Sequence, residues 1–277
     1  MYKALLYNLK NDYSIHEILE SQTFEPEFAD FSENELNNLT NYELIVIYLP
    51  ETDLKIIKKI RENLFFHNVT LLVLTDTVDL SQKKKALRSG ADFVEEKPSS
   101  SKELTIFFKM IYGLHQKSSV FPENVLEPFK AAVSEIFRMM AMMNAELIQE
   151  YKVTTHFHFG EVSAVMALAG TKKGGIILSL NEKTARRIIA NISATSPDAL
   201  EEEDVHDGIG EMINMIAGGA KARLTDDEHF LLSALAVITG SRHRVIQQKE
   251  MPCAVMVYRL NEEYFAIQIC LMALTGD

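Results

Sequence analysis

Short apolar runs separated by amphipathic stretches fill the first 117 residues. Ala4–Tyr7, Leu44–Tyr48 and Thr70–Leu74 are almost wholly apolar, the pattern of parallel strands covered on both faces. Asp92–Glu95 reads as a further short strand, following a Ser89-Gly90 pair that ends a helix on a C-terminal glycine. Helical periodicity occupies Tyr13–Glu20, Asn34–Leu39, Glu51–Asn63, Ser81–Ser89 and Lys102–His115. Strands alternating with helices over this length predict a five-stranded, doubly wound α/β domain with a parallel sheet over residues 1–117.

Residues 118–124 lose the periodicity to Ser, Pro and Asn and read as a linker. The grammar then changes. A helix is predicted over Val125–Tyr151, with Met139, Met140, Met142 and Met143 read as core packing in preference to a cofactor or peptide face. Strands Glu161–Ala169 and Gly175–Leu180 flank a Gly-Gly turn, and a helix follows at Glu182–Asn191. Ser196-Pro197-Asp198 breaks the chain before a long helix opened by Glu201-Glu202-Glu203-Asp204, acids that suit the positive end of the helix dipole. Phe230–Thr239, Ala254–Arg259 and Tyr264–Ala273 close a second, α+β domain (residues 125–277) with an antiparallel sheet.

Composition narrows the class. Hydrophobic residues are 47% and charged residues 24% of 277, with 12 Gly and 7 Pro, which is globular rather than disordered. No apolar run approaches the roughly 18–20 residues needed to cross a bilayer, and the N-terminal apolar stretch is too short for a signal peptide, so a cytoplasmic protein without a membrane partner is expected. Cys253 and Cys270 sit in apolar surroundings and are expected as buried thiols, not a disulfide framework or a zinc site.

The net charge of −11 is spread along the chain: residues 1–118 hold 14 Lys/Arg against 18 Asp/Glu, and residues 119–277 hold 14 against 21. A nucleic-acid partner, which needs a basic footprint, is not expected. Lys83-Lys84-Lys85 with Arg88 reads as one solvated helix face. His156 and His158 share a strand face without a third ligand nearby, so no metal site is expected. Ser241–Arg244 reads as a solvated turn, and Gly170–Gly175 lacks nucleotide-loop spacing.

Candidate chemistry concentrates in Asp204–Lys221. With Asp207 at zero on a helical wheel, Glu211, Asn214 and Gly218 fall near about 40°, 340° and 20°. Ile209, Met212, Ile213, Ile216 and Ala220 fall on the opposite side. Solvated faces favour Lys, Glu, Gln and Ala, whereas each mid-helix glycine costs roughly 0.8–1 kcal/mol against alanine. Gly208, Gly210, Gly218 and Gly219 are therefore read as kept for close approach, to neighbouring backbone or to a partner.

At these residues the chain resembles the CheC/CheX/FliY family of chemotaxis phosphatases. Asp207, Glu211 and Asn214 match its Asp/Ser, three residues, Glu, two residues, Asn signature, and Asn214-Met215-Ile216-Ala217-Gly218-Gly219-Ala220-Lys221 follows the CheX continuation. Glu127-Pro128-Phe129 and Gly174–Leu180 extend the likeness over roughly residues 124–273. The chain departs in having no proline between Asn214 and Pro252. The resemblance implies a phosphatase acting on the aspartyl phosphate of a separate response-regulator receiver, in chemotaxis or another two-component pathway. Asn214 would orient water, Glu211 would meet the partner's active-site lysine, and Asp207 and Gly218 would support them. No intrinsic cofactor is implied; Mg²⁺ would come on the phosphorylated partner. It also implies a homodimer paired through sheet edges, for which Ala254–Arg259 offers a strand.

The first domain resembles a response-regulator receiver. Glu43–Pro50 is similar to the third strand, where the family places its phosphoacceptor aspartate, Leu74-Thr75 to the end of the fourth, and Ala86–Pro98 to the segment running into a Lys-Pro pair. The acceptor position is Tyr48, and Asn8-Leu9 stand where the metal-binding acids belong, leaving Thr75 and Lys97. A hard dication needs charged oxygen ligands, so a degenerate receiver is expected, serving docking or dimerisation. Set against the phosphatase stands a non-catalytic adaptor that binds a receiver or scaffolds a complex.

Overall fold

The computed structural model describes residues 2–9, 12–22, 24–30, 39–51, 53–64, 67, 69–77, 79–97, 102–103, 105–106, 108–109, 121–153, 157–224, 230–246 and 251–273. The chain divides into two compact units, Met1–Gln116 and Lys117–Asp277.

The first unit runs β1 (Tyr2–Tyr7), α1 (Tyr13–Ser21), β2 (Phe24–Ala29), β3 (Leu44–Tyr48), α2 (Leu54–Asn63), β4 (Thr70–Thr75), α3 (Leu80–Arg88) and β5 (Phe93–Glu96). Its sheet is parallel in the order β2-β1-β3-β4-β5. This is the doubly wound order of CheY-like folds. The apolar runs divide their side chains between two cores. Leu5, Tyr7, Ile45, Ile47, Leu71 and Val73 pack with Ile57 and Ile60 of α2. Ala4, Leu6, Leu44, Val46, Leu72 and Leu74 pack with Ile15 and Leu19 of α1 and with Phe108.

Aspartates cap α1, α2 and α3: Asp12, Asp53 and Asp79 accept hydrogen bonds from their first turns. Gly90 takes φ +113°, and a Cβ there would lie 2.5 Å from Arg61 Cγ, so glycine is needed at this turn. β2 is absent from the sequence reading, because Glu25, Pro26 and Glu27 mask a strand whose edge position tolerates proline. Of the expected helix Asn34–Leu39, residues 34–38 lie outside the described residues. For Lys102–His115, residues 102, 103, 105, 106, 108 and 109 are helical and 110–115 lie outside them.

The second unit runs α4 (Glu123–Met140), β6 (Glu146–Val153), β7 (Phe157–Gly170), β8 (Lys172–Leu180), α5 (Glu182–Ile192), α6 (Glu202–Lys221), β9 (Phe230–Ile246), β10 (Cys253–Leu260) and β11 (Glu263–Ala273). The sheet is antiparallel in the order β6-β10-β11-β8-β7-β9. One face carries the helices: Val125, Phe129, Ala132 and Phe137 of α4 and Ile209, Met212, Ile213 and Ile216 of α6 share a core with Met256, Tyr258, Phe265 and Ile267. Phe137 stacks on Phe265 at 4.4 Å between centroids. α6 touches α4, α5, β7, β8 and β9, so it is held on every side but one.

Other expectations are corrected. The Gly-Gly pair expected as a turn, Gly174-Gly175, lies within β8. The helix drawn over Val125–Tyr151 stops at Met140, just before Met142 takes φ +53°, and its last six predicted positions, Glu146–Tyr151, belong to β6. The linker reading placed Glu123 and Asn124 outside the helix that they open; residues 118–120 lie outside the described residues. Ser241–Arg244 is no turn but continues β9, where His243 Nε2 lies 2.8 Å from Ser163 Oγ. Ala254–Arg259 offers no free edge, because β10 is paired on both sides; the edges are β6 and β9. Finally, Cys253 and Cys270 are joined by a disulfide: the hairpin register sets them directly opposite each other, a proximity that a separation of 17 residues does not reveal. His156 lies outside the described residues, and His158 falls in β7.

Candidate active site

Packing orients α6. Val205, Ile209, Met212, Ile213, Ile216 and Ala220 are buried against the sheet and the flanking helices, while Asp207, Glu211 and Asn214 are exposed and Gly218 is half-buried. The amphipathic pattern thus delivers carboxylate, carboxylate and amide to one open row, successive residues a turn apart. Acids continue the row past the helix start, where the Glu201 N–H donates to Asp204 Oδ2 at 3.1 Å. Among the described residues, the side chains of Asp207, Glu211 and Asn214 make no hydrogen bond or ion pair. Their polar atoms are available to water or to a ligand.

The helix glycines separate into two kinds. A Cβ at Gly208 would meet Ile189 Cδ1 at 2.6 Å, one at Gly210 would meet Leu235 Cδ2 at 2.7 Å, and one at Gly219 would lie 3.4 Å from Ala132 Cβ. These three admit α5, β9 and α4 respectively. A Cβ at Gly218 would meet nothing within 4 Å. Of the four, only Gly218 has no packing reason inside the chain, and it is the one in the polar row.

The methionine run, expected in the core, is mostly outside it: Met143 is 9% exposed, but Met139, Met140 and Met142 are 62%, 40% and 86% exposed. Met139 and Met140 lie in the last turn of α4, and Met142 follows its end.

The corresponding sheet edge of the first unit is closed by its own side chains. Asn8, at φ +60°, donates from Nδ2 to the Tyr48 carbonyl at 3.2 Å. The Tyr48 hydroxyl donates to Asp76 Oδ1 at 2.5 Å, and that carboxylate holds the phenol pKa up, with a smaller contribution from desolvation. Lys97 Nζ pairs with Asp12 Oδ2 at 2.8 Å and lies 5.0 Å from the Tyr48 ring centroid. Burial alone would raise the Asp12 pKa, but hydrogen bonds from Lys97 and Ser14 and the Lys97 charge together hold it below the ordinary value. Thr75 is fully buried, and its hydroxyl donates to the Pro50 carbonyl at 3.1 Å.

Asp12 and Asp76 were missed in the sequence. Acids were expected at the end of the first strand, whereas Asp12 arrives as the cap of α1 and Asp76 directly follows Thr75. Both carboxylates are engaged, one by an ammonium and one by a phenol. The position where an acceptor was expected, Tyr48, holds an aromatic ring.

The second unit, an antiparallel sheet carrying three helices, matches CheX structures in fold. Residues 162–259 match the family model described as Chemotaxis phosphatase CheX, a span that includes all of α6. Among solved structures, the chain is similar to a protein of Desulfovibrio vulgaris Hildenborough (27% identity, TM-score 0.51, 56% of this chain and 100% of that one). It is similar also to the chemotaxis protein CheX of Desulfovibrio desulfuricans (26%, TM-score 0.50, 53% and 99%). A CheC-like superfamily protein of Shewanella sp. PV-4 shares the fold (23%, TM-score 0.51, 55% and 100%). Comparison with curated proteins gave no match.

Proposed function

We propose that the second unit hydrolyses the aspartyl phosphate of a response-regulator receiver supplied in trans. The observation that carries this reading is the exposed, unpartnered Glu211 and Asn214 on one row of α6, inside a stretch that matches a phosphatase family. Asn214, an uncharged amide with a donor and an acceptor, orients water for in-line attack on phosphorus, as the water-positioning glutamines of GTPases do. Glu211 receives the partner's active-site lysine and fixes the approach. Asp207 adds negative potential one turn away, and Gly218 leaves room for the partner's loops. Mg²⁺ enters with the phosphorylated receiver as part of the substrate. The contribution of this chain is positioning, which can supply several kcal/mol without a nucleophile.

The substrate comes from another chain because Tyr48 cannot form an acyl phosphate. The protein acts as a homodimer that pairs through β9, the sheet edge on which Leu231, Leu235 and Ile238 are 61%, 39% and 39% exposed, since long apolar edges seek a partner strand. A dephosphorylation assay against phosphorylated receivers from the same genome tests the activity. Accelerated phosphate loss from at least one receiver supports it; tight binding without acceleration assigns the protein to the adaptor class.

A further inference from the structure

We propose that Met139, Met140 and Met142 form an apolar shelf on which the phosphorylated receiver rests while Glu211 and Asn214 reach its phosphoryl group. The proposal rests on the phosphatase reading above. Exposed large apolar side chains are normally scattered singly, yet three fall here within four residues, at 62%, 40% and 86% exposure. Met142 is held out of the helix by a positive φ of 53°, a conformation uncommon in residues other than glycine.

The shelf lies beside the polar row. Ala132 of α4 abuts Gly219 in the second half of α6. The end of α4 is tied to α5 by Asn191 Nδ2 donating to the Ala141 carbonyl at 3.1 Å. In turn, Ile189 of α5 packs at Gly208 in the first half of α6. The two long helices therefore run antiparallel. Seven residues beyond Ala132, at about 1.5 Å each, bring Met139 level with Met212, the neighbour of Glu211. On the α4 wheel Met139 falls only about 20° from Ala132, on the flank that faces α6, whereas Arg138 falls on the far side.

Charge selects the occupant. The neighbouring row is acidic from Glu201 through Asp204, Asp207 and Glu211. A second copy docked face to face would set those acids against one another, and like charges across an interface are costly. A receiver brings a lysine to its phosphorylated site, and the row beside the shelf answers it. Methionine suits such a transient partner, because its unbranched thioether adapts to a surface that changes between phosphorylated and free states.

The test uses the full chain and the receiver selected by the panel assay, loaded with Mg²⁺ and beryllofluoride, in isothermal titration. Met139→Gln with Met142→Gln should weaken Kd about tenfold, the scale of losing a buried interface side chain. In turnover with the phosphorylated receiver KM should rise in proportion while kcat holds, the signature of lost uniform binding. Met139→Leu with Met142→Leu should restore both, and Asn214→Ala should abolish turnover with Kd intact. An unchanged Kd for the Gln pair, beside a Kd weakened by Glu211→Ala, overturns the shelf and leaves the phosphatase reading standing. Loss of a dimer rather than of receiver binding in the Gln pair assigns the patch to a second copy and overturns it too. Failure of the wild type to bind any receiver overturns both.

Discussion

Asn214 and Glu211 carry no structural duty that a substitution would expose. Both are solvent-facing and unpartnered among the described residues, so Asn214→Ala should leave stability within about 0.5 kcal/mol. Turnover should fall about 10²–10³-fold, the scale of removing one preorganised hydrogen-bonding group from a reacting centre. Gly218 gives a sharper contrast. With open space around its missing Cβ, Gly218→Ala should stabilise the helix by up to about 1 kcal/mol and yet weaken receiver binding, as thermal melts and titration would report. Gly208→Ala should instead lower Tm, because the new methyl meets three carbons of Ile189 between 2.6 and 3.1 Å.

In the first unit Asp12 links stability to pH. Its folded pKa is held below the ordinary value, so its stabilising contribution is fully present above about pH 4 and is lost as pH falls through the lowered pKa. Denaturation of wild type and Asp12→Asn should therefore differ at neutral pH and converge in acid. A gap that persists unchanged into strong acid would contradict the pairing with Lys97.

Elements with one strong period were legible in the sequence. The apolar runs of β1, β3 and β4 and the one-sided pattern of α6 needed no tertiary information, because burial on both faces or on one stripe writes itself into residue order. Where two patterns overlap, the reading failed. Glu25-Pro26-Glu27 hid β2, and the sequence after Met140 kept a helical appearance although it crosses into β6. The row Asp207–Glu211–Asn214–Gly218 could be drawn from spacing alone. Which glycines pack and which stays open could not, since that depends on Ile189, Leu235 and Ala132 from other elements. The same holds for Cys253 and Cys270 and for Asp12 beside Lys97, each a product of register or topology.

β9 makes its own prediction. Leu231→Lys with Ile238→Lys should convert a dimer, at twice the mass of one chain by light scattering, into a monomer without unfolding it. A wild-type monomer at micromolar concentration would count against edge pairing.

At the scale of the whole molecule, a unit of CheY-like fold and a unit that matches the CheX family model occur in one chain. Tyr48, Asn8, Lys97, Asp12 and Asp76 satisfy one another where an acceptor and a metal would stand. Treatment with acetyl phosphate and Mg²⁺ should leave residues 1–117 without a stable phosphoryl adduct by mass spectrometry; an adduct there would remove the reason for a substrate in trans.

Activity of the second unit is read most directly from release of phosphate from a phosphorylated receiver by the wild type and by Asn214→Ala. The wild type should accelerate release, and Asn214→Ala should lose nearly all of the acceleration while still binding the receiver. If neither protein accelerates release from any receiver tried, yet both bind one tightly, α6 is a docking face of an adaptor and not the active site of a phosphatase.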